Sequence, residues 1–169
     1  VVGVTGDTDK QQLADISSAP HEEDVTWWNA PDFDALDSFL RTLLKTTCKE
    51  NCESVKITDC FVDLAFIVDG SESITEANPN TWNRILDFIT KIIQKFLIGS
   101  SETHVGMIVF GDEAKVQFNL DTYDTEIELL NRVKSIQPVG GEANTAAALS
   151  MATDGNHFNL MKCKLIQVS

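Results

Sequence analysis

Asp63-Leu64-Ala65-Phe66-Ile67-Val68-Asp69-Gly70-Ser71-Glu72-Ser73-Ile74 is the stretch on which the fold turns. Its apolar run, Leu64 to Val68, is short, bounded and rich in large side chains, which predicts a strand buried on both faces. At the carboxyl end of that strand stand one carboxylate and two hydroxyls at alternate positions: Asp69, Ser71 and Ser73. Side chains two apart on an extended chain share a face, so the three converge as the backbone turns. A set of oxygen donors carrying a single charge suits Mg²⁺ or Mn²⁺ and leaves room for water or an incoming carboxylate. The carboxyl ends of strands in open α/β sheets are also where ligands bind. The same residues have a second reading as a helix start. In it Ser71 or Ser73 is the cap, and Glu76, three residues after Ser73, completes a capping box.

Outward from this stretch, strands and helices alternate. Thr81 to Leu97 carries Trp82, Ile85, Ile89, Ile92, Ile93 and Phe96 at helical spacing, with Gly99 as the stop. Val105 to Phe110 is a second apolar run and predicts a buried strand. Ala114 to Leu120 alternates, with Val116, Phe118 and Leu120 on one face, as a neighbouring edge strand does. Ile127, Leu130, Val133 and Ile136 mark another helix, Asn144 to Ala152 an alanine-rich one, and Lys164 to Val168 a further strand. Before the central stretch, Val1 to Thr5 and Val25 to Trp28 read as strands, the second broken by Asn29-Ala30-Pro31. Lys10 to Ser18 and Phe33 to Cys48 read as helices, and residues 49–60 as a polar connector. The alternation predicts an α/β fold: a doubly wound, mostly parallel sheet with helices on both faces.

The chain has 169 residues, 43% of them hydrophobic, which is ample for an ordinary α/β core. No apolar stretch approaches the ~18 residues of a membrane span, and Val1-Val2-Gly3-Val4 lacks the basic start of a signal peptide. The formal net charge of −13 is spread over both halves. It disfavours nucleic acid and anionic membranes as partners and favours cations and basic surfaces. The four cysteines are Cys48, Cys52, Cys60 and Cys163. Their spacing lacks the paired C-x₂-C of zinc sites, so disulfides in an oxidising compartment are the better reading. Three pairings are open. Cys60 and Cys163 each precede a predicted strand, where a bridge between neighbouring strand starts is plausible.

These motifs resemble the von Willebrand factor type A domain, which is related to the inserted domain of integrins. Asp63 to Ile74 resembles the family's first strand and its metal-ion-dependent adhesion motif. His104 to Gly111 resembles the second strand, and Val139-Gly140-Gly141-Glu142-Ala143-Asn144-Thr145 the Gly-Gly turn that supplies a threonine to the metal. That threonine falls at Ala143, which has no side-chain oxygen. Thr145, two residues on, is the substitute. The resemblance therefore implies Asp69, Ser71, Ser73 and Thr145 as metal ligands, with Mg²⁺ or Mn²⁺ as the ion. The family's supporting aspartate loop comes after its last strand, past Ser169.

Residues 1–48 resemble the closing part of such a domain, so the segments stand in permuted order. Residues 1–48 then read as the C-terminal part of one A-type domain and 49–60 as a cysteine-containing linker. Residues 61–169 read as the N-terminal part of a second domain. Two completions of the sheet are open: residues 1–48 complete the sheet of 61–169, as in a circular permutant, or each part pairs with a neighbouring A domain or another chain segment. This tandem organisation is similar to that of invertebrate matrix proteins. The resemblance implies a secreted, non-enzymatic adhesion module of the extracellular matrix, with collagen or another matrix protein as partner. An architectural spacer with a degenerate metal site is the alternative that Ala143 favours. A hydrolase-type enzyme is disfavoured. Position 71 is serine where an aspartyl phosphatase has its second acid, and no G-x-S-x-G elbow, phosphate-binding loop or dinucleotide fingerprint is present.

Overall fold

The strands form where the sequence is most continuously apolar, and the sheet grows outward from Asp63–Asp69. A computed structural model describes residues 2–4, 11, 28–30, 35, 61–153 and 163–168. In chain order the described strands are β1 (Val2–Val4), β2 (Trp28–Ala30), β3 (Asp63–Asp69), β4 (His104–Phe110), β5 (Ala114–Phe118) and β6 (Cys163–Val168). The helices are α1 (Glu72–Ala77), α2 (Thr81–Ile93), α3 (Glu126–Ser135) and α4 (Thr145–Thr153). The six strands make one sheet in the order β2-β1-β6-β3-β4-β5. All neighbours are parallel except β4 and β5, which are antiparallel across a tight turn. This is the α/β, mostly parallel architecture that the alternation predicts. Although β1 and β2 precede β3 in the chain, they lie beyond β6 in the sheet, where Val2 pairs with Val168.

Strand β3 is central and buried on both sides. Leu64, Phe66 and Val68 face one layer with Ile85, Ile89, Ile92 and Phe96, and also with Leu129 and Val133 of α3. Ala65 and Ile67 face the other layer with Ile108, Phe110, Ala148 and Ala152. The period-2 alternation of β3 thus feeds two cores. Small residues on the second face, matched by the alanines of α4, let that helix approach closely. Burying each large side chain of this set contributes roughly 1.5–3 kcal/mol. The indole N–H of Trp82 donates to the Ile136 carbonyl at 2.9 Å and ties α2 to the end of α3.

The structure departs from the sequence expectations in four places. Helix α2 ends at Ile93 rather than Leu97. The N–H groups of Lys95 and Phe96 bond to the carbonyls of Ile92 and Ile93, tightening the last turn and carrying Phe96 into the core. On α3 the buried residues are Leu129 and Val133, four apart, whereas Ile127 is 75% exposed. In β5 a register shift opposite Met107 and Ile108 re-aims Phe118. It joins Met107 in the first core, while Val116 and Leu120 pack on the second. Strand β2 lies over Trp28–Ala30, so Asn29 and Ala30 pair with Gly3 and Val4 rather than breaking the strand. Backbone pairing needs no apolar side chain, and the first residue without an N–H donor is Pro31. Apart from Gln11 and Ala35, the helices expected over Lys10–Ser18 and Phe33–Cys48 lie outside the described residues, as do Trp27, Cys48, Cys52, Cys60 and the side chain of Cys163.

At the amino-terminal edge of the sheet His104 sits in register with Asp63. The imidazole Nδ1 donates to Asp63 Oδ1 at 2.8 Å, and both side chains are partly exposed. The hydrogen bond to the Asp63 carboxylate raises the His104 pKa above its ordinary 6.5, outweighing the opposing effect of burial. A group whose pKa is higher folded than unfolded stabilises fully below its unfolded value. That stabilisation is lost as pH climbs through the folded value. The contribution of this pair, below ~1 kcal/mol given its exposure, is therefore present below the ordinary value of 6.5 and falls as pH rises above it through the raised folded value. Denaturant melts across that range are expected to show this fall in the parent and not in His104→Gln. A parent whose stability relative to the variant rises with pH contradicts the assignment. On α3, Leu129→Ala is expected to cost about 2–5 kcal/mol, and Ile127→Ser less than ~0.5 kcal/mol. Equal costs in the same melts overturn the observed orientation of the helix.

Candidate metal site

Strand β3 ends by delivering Asp69 to the carboxyl rim of the sheet, where the chain turns through Gly70 and Ser71 into α1. Asp69 is 8% exposed and Ser71 1% exposed. Asp69 Oδ1 accepts the Ser71 N–H at 2.9 Å, which folds the loop back over its own carboxylate. The hydroxyls of Ser71 and Ser73 lie 3.0 Å apart. Ser71 occupies the N-cap position of α1, yet its hydroxyl makes no capping bond and lies against Ser73 instead. The capping-box reading of this stretch is therefore not the one the geometry adopts.

The rim is held by backbone hydrogen bonds from a second loop about 70 residues further along the chain. The Gly70 carbonyl accepts the N–H groups of Val139 and Gly140, at 3.0 and 2.8 Å, and Glu72 N–H donates to the Gly141 carbonyl at 2.9 Å. The turn takes this shape because Gly140 and Gly141 adopt φ of 81° and 73°, conformations that residues with a Cβ rarely hold. Asn144 then starts α4, its side chain accepting the Ala147 N–H at 3.0 Å.

Thr145 opens α4 and lines a cavity of about 550 Å³ together with Asp112, Glu142, Ala143, Asn144, Ala146 and Leu149. Asp69, Ser71 and Ser73 do not line that cavity. The structure thus brings three of the four sequence-derived candidates together on one loop, with Thr145 on the adjoining turn. At Ala143 a methyl group stands on the same turn.

The donors suit a hard divalent ion. A carboxylate as little exposed as that of Asp69 is stabilised in its charged form by a neighbouring cation. Among the described residues Asp69 meets no basic side chain, and two neutral hydroxyl oxygens lie beside it. Oxygen donors alone match Mg²⁺ or Mn²⁺ chemistry better than that of thiolate-seeking metals. Among the described residues no three His, Cys, Asp or Glu side chains gather into a cage.

Sequence reasoning missed Asp112, on the turn between β4 and β5. Its Oδ1 accepts the Glu142 N–H at 2.6 Å. Only the Gly111-Asp112 turn dipeptide hinted at it, because its partner is a backbone amide 30 residues away.

The fold has recognisable counterparts. Residues 63–162 match the family model of the von Willebrand factor type A domain. The chain is 28% identical to the collagen alpha-4(VI) chain of Mus musculus over 120 residues, 70% of this chain and 5% of the mouse protein. It is 30% identical to von Willebrand factor A domain-containing protein 2 of Xenopus laevis over 149 residues, 88% of this chain and 18% of the frog protein. The chain therefore spans only a small part of these relatives. Among solved structures it resembles proximal thread matrix protein 1 from the mussel byssus, described with a zinc-occupied MIDAS motif. The TM-score is 0.60 at 22% identity, covering 99% of this chain and 42% of the mussel protein. With more than half of its residues matched by the family model, the chain belongs to the von Willebrand factor type A domain family.

Proposed function

We propose that this chain is an extracellular adhesion module that binds a matrix protein such as collagen through the carboxyl rim of its sheet, and that it performs no catalysis. The observation that carries this reading is the pairing of the Ser71 and Ser73 hydroxyls, 3.0 Å apart, beside the buried Asp69 carboxylate. Asp69, Ser71 and Ser73 hold Mg²⁺ or Mn²⁺ in this reading, with Thr145 as a further donor on the adjoining turn. When bound, the ion supplies the positive charge that attracts a partner's carboxylate. The protein contributes a single negative charge, its other donors being neutral hydroxyls, so the ion's charge is left largely uncompensated for the partner. Ser71 is almost fully buried and fixes the inner side of the site, while Ser73 is exposed and faces the approaching partner. The names of the relatives, a collagen VI chain among them, support a place in the secreted matrix. Among the described residues no helix is long and apolar enough to cross a membrane.

The same proposal extends to organisation. Residues 1–48 are the closing part of one A-type domain, 49–60 a cysteine-containing linker, and 61–169 the opening part of the next. The β6 edge is then completed by closing strands of this type. A second reading, a load-bearing spacer with a degenerate ion site, is favoured by one observation, the methyl of Ala143 on the Gly-Gly turn.

Thermal unfolding separates the two. An ion present at 100 times its Kd adds about 2.7 kcal/mol to the native state, roughly 5–10 °C in midpoint for a chain of this size. Mn²⁺ at millimolar concentration is expected to give a shift of this kind in the parent and none in Asp69→Ala. Collagen binding in a solid-phase assay is expected to fall on addition of EDTA. An unchanged midpoint, or collagen binding that survives both EDTA and Asp69→Ala, removes the ion from the account.

A further inference from the structure

Where the resemblance calls for a threonine hydroxyl on the Gly-Gly turn, this chain has Ala143. That turn still has to be held against the loop that carries Asp69, Ser71 and Ser73. The structure shows a different tie. Asp112 Oδ1 accepts the Glu142 N–H at 2.6 Å. Asn144 N–H donates to the Gly111 carbonyl at 3.0 Å. The two turns are packed so closely that a Cβ on Gly141 would fall inside the Asp112 carboxylate, and one on Gly111 would fall on the Gly140 carbonyl. The Gly-Gly turn, held from one side by Asp112, is bonded on the other side to Gly70 and Glu72. A continuous set of contacts therefore runs from Asp112 through residues 140–142 to the metal-motif loop.

We propose that Asp112 is a positioning residue for the metal-motif loop, holding the Gly-Gly turn in place of the missing hydroxyl at position 143. This rests on the reading of Asp69, Ser71 and Ser73 as ion ligands, and it extends that reading to a residue on a different turn. A charged acceptor makes a stronger bond to a backbone N–H than a neutral one, and its lock on Glu142 needs no ion. The turn is therefore held whether or not an ion is present.

The test uses the whole chain and two substitutions. Asp112→Ala removes the acceptor. Asp112→Asn keeps an oxygen acceptor and removes the charge. Asp112 is exposed, so both variants are expected to fold, as circular dichroism can verify. The first readout is amide hydrogen exchange without any metal. Asp112→Ala is expected to speed exchange at residues 140–144 and also at 70–74, while Asp112→Asn stays close to the parent. The second is Mn²⁺ affinity by calorimetry, expected to weaken about tenfold in Asp112→Ala, the scale seen when supports of metal ligands are lost, and to be largely rescued in Asp112→Asn. Unchanged exchange at 70–74 in Asp112→Ala overturns the proposal. So does an Asp112→Asn that binds Mn²⁺ as weakly as Asp112→Ala, because the effect would then be charge attraction rather than positioning. A parent that binds no Mn²⁺ defeats the ion reading itself, and the metal-free exchange result then decides the tie alone.

Discussion

The carbonyl of Gly70, accepting the N–H groups of Val139 and Gly140 at once, is the interaction on which the upper rim of this molecule rests. It lies at the end of a strand buried on both faces and joins two loops far apart in the chain. Backbone groups buried away from water have to be paired, and leaving one unpaired costs about 1–3 kcal/mol. Two donors on one carbonyl, reinforced by Glu72 N–H on Gly141, make the two loops a single unit. These backbone bonds, together with the Asp112 carboxylate that accepts the Glu142 N–H, hold the rim, while position 143 carries only a methyl group. The arrangement of Asp69, Ser71 and Ser73 follows from the burial of β3 and this pairing together. Burial fixes where the strand ends, and the pairing fixes where the loop goes next.

Much of this architecture was legible in the residues. Strands β3 and β4 are continuous apolar runs because both of their faces are covered, and such runs carry their own boundaries. Helix α2 announced itself by Trp82, Ile85, Ile89, Ile92 and Ile93, all buried as the spacing requires. Asp69, Ser71 and Ser73 were legible because alternate positions leaving a strand share a side. What escaped was decided by tertiary contacts. Phe118 changes face through a register shift that no alternation pattern records. Ile127 falls on the helical stripe with Leu130, but α3 turns Leu129 and Val133 inward, and the first turn projects into solvent. The role of Asp112 was hidden because its partner is an amide, and every residue type except proline supplies one. Helix α2 ends early in a tighter turn, with the Lys95 and Phe96 N–H groups on the Ile92 and Ile93 carbonyls, and the 3.6-residue spacing does not record that change.

Strand order is a separate lesson. In a parallel sheet a strand's place is set by the edge that it can pair with, not by its place in the chain. Here β1 and β2 come first in sequence and lie outside β6 in the sheet. The pairing itself is backbone hydrogen bonding between short segments, Val2–Val4 with Trp28–Ala30, which carries little side-chain signature.

The central claim, that the carboxyl rim holds a divalent cation through Asp69 and its two serines, is tested most directly by paramagnetic broadening of amide resonances during a Mn²⁺ titration of the labelled protein. The account predicts that signals from Gly70 to Ser73 and from the Gly140–Thr145 turn disappear first, while those around Asp63 and His104 at the opposite edge persist. Broadening that spares the motif loop, or that follows the acidic surface without preference for it, contradicts the claim.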